Sequence, residues 1–123
     1  MKRILVVEDG RTERKYYGEI LAAAGFQVVE AANGYEGWEK ALETPFDLVV
    51  ADVNMPKVDG LSLIGLLRRE GVSQRAPVVL ISSEGGAKGE ERELASGADR
   101  YLVKPVLPDS LRAAVREAME ARE

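Results

Sequence analysis

The chain has 123 residues, with 17 basic and 21 acidic side chains and a formal net charge of -4. That length suits one domain with its own core, so a single domain over residues 1–123 is expected, and the mixed charges leave no basic block to serve nucleic acid or an anionic lipid surface. Cysteine and histidine are both absent, which excludes disulfides, thiolate metal sites and His-assisted nucleophiles and leaves carboxylate, hydroxyl and lysine chemistry.

Short apolar runs alternate with longer amphipathic ones. "RILVV" (Arg3 to Val7) predicts a buried strand, and a helix follows from about Thr12 to Ala24, with Gly25 placed for a left-handed C-cap and Gly18 a local weakness. "QVVEA" predicts the second strand, and "GYEGWEKAL" a helix with Tyr35, Trp38 and Leu42 at helical spacing, ended by Thr44 and Pro45. Trp38 and Tyr35 read as core or helix-surface residues. "DLVVAD" is the third strand, "LSLIGLLRR" an apolar helix, and "APVVLIS" the fourth strand. "KGEERELAS" predicts a shorter, more polar helix, entered through the glycine-rich "SSEGGAKGE". "RYLV" is the fifth strand, and "PDSLRAAVREAMEA" the last helix, with Pro108 and Asp109 at its start.

Five strands alternating with five helices imply parallel pairing, since each return crossover is built from a helix. The expected fold is α/β, a doubly wound parallel sheet with helices on both faces. No apolar run approaches the roughly 20 residues of a membrane span, and "MKRILVVED" turns to charge too soon for a signal peptide. A soluble cytoplasmic protein is expected.

In open parallel sheets, ligands bind beyond the carboxyl ends of the strands. Glu8 and Asp9 stand at the end of the first strand, Asp52 at the third, Ser82 and Ser83 at the fourth, and Lys104 at the fifth. Three carboxylates brought together repel unless a counter-charge joins them. A hard divalent cation resolves the conflict, and magnesium suits oxygen donors while leaving room for a phosphoryl oxygen. Asp52 then reads as both ligand and nucleophile, with Lys104 and a serine hydroxyl for the remaining phosphoryl oxygens. A single Asp closing a strand is more often a cap; the conjunction at one edge carries the reading.

These residues resemble the receiver domain of two-component response regulators over essentially the whole chain. The likeness rests on "LVVEDG", "VVADVNMPKVDG", "LISSEG" and "YLVKP", and on the spacing from Asp52 to Ser82 and to Lys104. The resemblance implies the flavodoxin-like strand order 2-1-3-4-5. It implies that Asp52 accepts a phosphoryl group from a phosphohistidine on a sensor histidine kinase or phosphotransfer protein. It also implies that Mg2+ is held by Asp9, with Glu8 nearby, Asp52 and the backbone carbonyl of Asn54. Ser82 takes the switch-hydroxyl position, Tyr101 the aromatic switch position, and Lys104 the phosphate-pairing position, with a cis bond to Pro105. The fourth helix, fifth strand and fifth helix become the output face toward a downstream protein.

Three departures stand out: Gly10 after the acid pair, Val106 where Phe is common, and the glycines from Gly85 to Gly89. Asn54 and Glu84 occupy the two positions that tune acyl-phosphate lifetime in the family, and predict rapid self-dephosphorylation. Such a chain is no conventional enzyme, although it catalyses its own phosphorylation and dephosphorylation. The competing reading is a degenerate receiver used for phosphorylation-independent protein interaction. An aspartyl phosphatase acting on small molecules fits less well, because "DVN" is not the early D-x-D of the haloacid dehalogenase class. A dinucleotide site lacks its G-x-G-x-x-G turn.

Overall fold

A computed structural model of the chain describes residues 1–83 and 97–122. Five strands form one parallel sheet: β1 (Arg3–Val7), β2 (Gln27–Ala31), β3 (Leu48–Asp52), β4 (Val78–Ser82) and β5 (Arg100–Val103), in the order β2-β1-β3-β4-β5. The described helices are α1 (Arg11–Ala23), α2 (Gly34–Glu43), α3 (Gly60–Arg69) and α4 (Pro108–Ala121). The helix predicted from Lys88 to Ser96 lies outside the described residues.

Both faces of the sheet are covered, which is why β3 and β4 are buried at every residue and read as unbroken apolar runs. Alternate residues serve opposite cores. Leu5, Val7, Val49, Ala51 and Leu80 pack with α3 residues Leu63, Ile64 and Leu67, whereas Ile4, Val6, Val50, Val79 and Ile81 pack with Tyr17 and Leu21 of α1 and Leu111 and Val115 of α4. Trp38 packs at the edge of the first core, and Tyr35 is exposed.

Two strands start later than the apolar pattern predicts. Asp47 stands before β3, its carboxylate accepting the Arg3 N–H at 2.8 Å. Pro77 has no N–H to give the ladder, so β4 opens at Val78, whose N–H goes to Asp99 Oδ2 at 2.8 Å. Gly25 follows α1 with φ +99°, the left-handed stop expected there.

The register aligns the carboxyl ends. Val7 lies beside Ala51, Asp52 beside Ile81, and Ser82 beside Val103, so the residues after each strand gather over one edge. Among the described residues no helix is long and apolar enough to cross a membrane.

Candidate functional site

Asp52 closes β3 and is only 2 % exposed. The turn beyond it fixes its carboxylate. The Asn54 N–H donates to Asp52 Oδ1 at 2.7 Å, and the Gly60 N–H donates to the Val53 carbonyl at 3.0 Å. Asp59 caps α3 by accepting the Ser62 N–H at 2.7 Å. Gly60 is needed for contact as much as for the turn, because a Cβ there would meet the Asp52 carbonyl oxygen at 2.6 Å. The "VDG" that ends "VVADVNMPKVDG" therefore presses the start of α3 against the strand end.

The same loop holds Lys57 at φ +66°, with the Val58 N–H donating back to the Pro56 carbonyl at 2.8 Å. This is a γ-turn of the rare, strained hand, made by a residue with a side chain.

β1 delivers Glu8 and Asp9. Oxygens of Glu8, Asp9 and Asp52 lie within 4.8 Å of one another, Glu8 and Asp52 buried and Asp9 exposed. Glu8 Oε2 accepts the Gly10 N–H at 3.0 Å, while Oε1 is buried with no hydrogen-bond partner among the described residues. Burial, reinforced by the neighbouring carboxylates of Asp52 and Asp9 against the Gly10 N–H, pushes Glu8 up to about 8. Without a cation, the pocket resists ionisation of this carboxyl.

Lys104 brings the opposing charge. Its Nζ donates to Asp52 Oδ2 at 2.5 Å and lies 3.6 Å from Glu8 Oε1. Burial pulls the ammonium down, but the Asp52 hydrogen bond and the charges of Asp52 and Glu8 outweigh it, so the group is held above the ordinary lysine range. Among the described residues one ammonium faces three carboxylates. The orphaned Glu8 oxygen and an all-oxygen donor set fit a hard divalent cation, which needs this chemistry and would relieve the repulsion.

Ser82 is buried at the end of β4, and its carbonyl accepts the Lys104 N–H at 2.8 Å. Asn54 reaches across the rim, its side-chain amide donating to Ser83 Oγ at 3.2 Å. Tyr101 is half-buried on β5, paired with Leu80. The Lys104–Pro105 peptide is cis. Glu84 lies outside the described residues. The site thus brings together Glu8, Asp9, Asp52 and Lys104, flanked by Asn54 and Ser82, with Tyr101 further back along β5.

Sequence reasoning passed over Tyr17. It is buried at 3 % exposure, and burial first, with the nearby carboxylates against Lys104, pushes its hydroxyl up to about 12. Its only signal was an aromatic pair, "YY", on an amphipathic helix.

A parallel sheet in this order, with an acidic pocket and an opposing lysine at its carboxyl edge, defines a flavodoxin-like α/β protein whose carboxyl edge carries an all-oxygen donor set. The sequence profile of the response regulator receiver domain matches residues 4–116, and the chain belongs to that family. Chemotaxis protein CheY1 of Helicobacter pylori is 34 % identical over 113 residues, 89 % of this chain and 90 % of that protein. A gliding motility regulatory protein of Myxococcus xanthus is 39 % identical over 102 residues, but this chain spans only 13 % of its length. The phosphate regulon regulator PhoB of Klebsiella pneumoniae is 38 % identical over 96 % of this chain and 52 % of its own length. Among solved structures, the chemotaxis response regulator CheY4 of Vibrio cholerae matches with TM-score 0.89 at 30 % identity, covering 96 % of this chain and 98 % of that one. The Francisella response regulator 1452 receiver domain matches with TM-score 0.91 at 26 % identity over the whole of both chains.

Proposed function

We propose that residues 1–123 form one receiver domain that works as a phosphorylation-operated switch, with Asp52 taking a phosphoryl group from a phosphohistidine on a sensor kinase or phosphotransfer protein. The observation that carries this reading is the 2.5 Å pairing of Lys104 Nζ with Asp52 Oδ2 beside two further carboxylates. A carboxylate oxygen of Asp52 forms the new O–P bond as the P–N bond of the donor breaks, and the departing imidazole keeps the electron pair. The Asn54 N–H holds Oδ1 in place during the approach. Lys104 then exchanges its bond to the carboxylate for one to a phosphoryl oxygen, so its charge is matched before and after transfer.

Glu8, Asp9, Asp52 and the Asn54 carbonyl would hold Mg2+, which when bound supplies positive charge against the phosphoryl oxygens. Ser82 serves as the switch hydroxyl, and Tyr101 turns with it to alter a surface made by the predicted Lys88–Ser96 helix, β5 and α4. A downstream protein reads that surface. Asn54 and Glu84 set the lifetime of the acyl phosphate, expected to be short, as in chemotaxis receivers. The setting is cytoplasmic.

Incubation with magnesium and phosphoramidate tests the reading. Intact mass rises by one phosphoryl group in the wild-type chain and not in Asp52→Asn. If the chain gains no mass and beryllofluoride leaves its NMR spectrum unchanged in magnesium, it is a phosphorylation-independent interaction module instead. Persistence of the phosphoryl group like that of slow gene-regulatory receivers would overturn the lifetime proposal alone.

A further inference from the structure

The loop from Lys104 to Leu107 carries the phosphate-pairing lysine, and its backbone bonds can be followed one by one. At its start the Lys104 N–H donates to the Ser82 carbonyl at 2.8 Å, and at its end the Leu107 carbonyl accepts the Leu111 N–H at 3.0 Å. Between them Pro105 has no N–H, and α4 opens at Leu107 without a side-chain cap. Among the described residues a further tie crosses from another element. Tyr16 on α1 donates its hydroxyl to the Val106 carbonyl at 2.9 Å, joining parts of the chain 90 residues apart.

The surroundings suit a latch. The Tyr16 ring lies against Tyr17 with centroids 5.7 Å apart, and Tyr17 is buried at 3 % exposure. Both tyrosines, with Glu13, Lys104 and Leu107, line a cavity of about 480 Å³ beside the loop. The loop therefore borders open space on its α1-facing side, and close packing does not fix it there. Lys104 is rooted at the start of this loop and its ammonium meets Asp52 Oδ2 at 2.5 Å, so the approach of the side chain is set by where the 104–107 backbone is held.

We propose that Tyr16 is a positioning residue for phosphoryl transfer: its hydroxyl latches the 104–107 loop to α1 and so holds the Lys104 ammonium over Asp52. The proposal rests on the receiver reading above. Tyr16→Phe removes the hydroxyl and keeps the ring at a 40 % exposed site, so the fold is retained. Phosphorylation by phosphoramidate in magnesium slows by about fivefold, the scale of one neutral hydrogen bond.

A double-mutant cycle separates positioning from general loosening. In a Lys104→Ala background Tyr16→Phe has no further effect, because the group it positions is gone. Equal slowing in both backgrounds, or no slowing in either, overturns the latch. NMR of the metal-free chain gives a readout that does not depend on turnover: Tyr16→Phe shifts the Lys104 side-chain and Val106 backbone resonances, and unchanged resonances also overturn it. If the wild-type chain accepts no phosphoryl group, the receiver reading fails by itself and the NMR comparison still decides the latch.

Discussion

Glu8 and Asp99 are carboxylates at opposite edges of the same sheet, and the fold treats them in opposite ways. Asp99 precedes β5 and is saturated. Its Oδ2 accepts the Val78 N–H at 2.8 Å, Arg122 donates to both oxygens at 2.7 and 3.1 Å, and Arg68 lies 3.8 Å away. Glu8 follows β1, is 1 % exposed, and keeps one oxygen with no hydrogen-bond partner. The amino edge neutralises itself and ties α3, α4 and the sheet together. The carboxyl edge leaves negative charge unresolved, which is what a site for an external cation requires.

The largest effects should fall on function at one edge and on stability at the other. Asp52→Asn abolishes phosphorylation while far-UV circular dichroism shows the fold intact; retained phosphorylation in that variant would move the acceptor elsewhere. Asp99→Ala leaves the Val78 N–H without its acceptor and Arg68 and Arg122 without their carboxylate. Urea unfolding should show a loss of about 3 kcal/mol, the scale for breaking a part-buried charge network. The folded fraction of Asp99→Ala should still accept a phosphoryl group. If its stability falls by less than a surface substitution would cause, the clamp is ornamental and the comparison breaks.

Replacing Glu8 reverses the sign. In the metal-free chain at pH 8, Glu8→Gln removes a charge that the pocket disfavours and should stabilise the fold by on the order of 1–2 kcal/mol. Magnesium then stabilises the variant less than it does the wild type. The pH dependence follows from the same group. Glu8 is raised from 4.5 to about 8 on folding, so between those values the folded chain binds more protons than the unfolded one. Its contribution is therefore full below about pH 4.5 and is lost as pH rises through about 8. Urea titrations in EDTA should show stability declining across that window, with a flatter slope in Glu8→Gln. A wild-type slope no steeper than that of the variant would show that the pocket does not strain this carboxyl.

The sheet was legible because β3 and β4 are buried on both faces and spell that out as continuous apolar runs. The site was legible because a parallel sheet places strand ends together, so Glu8, Asp9, Asp52 and Lys104 needed only the right strands to converge. What stayed hidden depends on contacts between distant segments. Nothing local marks Asp99 as a clamp for Arg122, or Tyr16 as a partner for Val106, since each is an ordinary polar residue on an amphipathic or turn segment. The Glu8 oxygen left without a hydrogen bond is hidden for a related reason: sequence gives the carboxylate, and only packing decides which bonds it lacks.

Lys57 supplies the smallest test and sharpens the contrast, because the strain it carries also lies at the carboxyl edge. Its φ of +66° costs a side-chain-bearing residue about 1–2 kcal/mol, which glycine avoids. Glycine returns part of that gain, about 0.4–1 kcal/mol, through the greater freedom of the unfolded chain. Lys57 is exposed, so little packing is lost. Lys57→Gly should therefore raise stability by about 0.5–1 kcal/mol, read as a higher urea midpoint at unchanged slope. A lower midpoint would mean that the turn is relaxed with Lys in place, and that the carboxyl edge differs from the amino edge in charge alone.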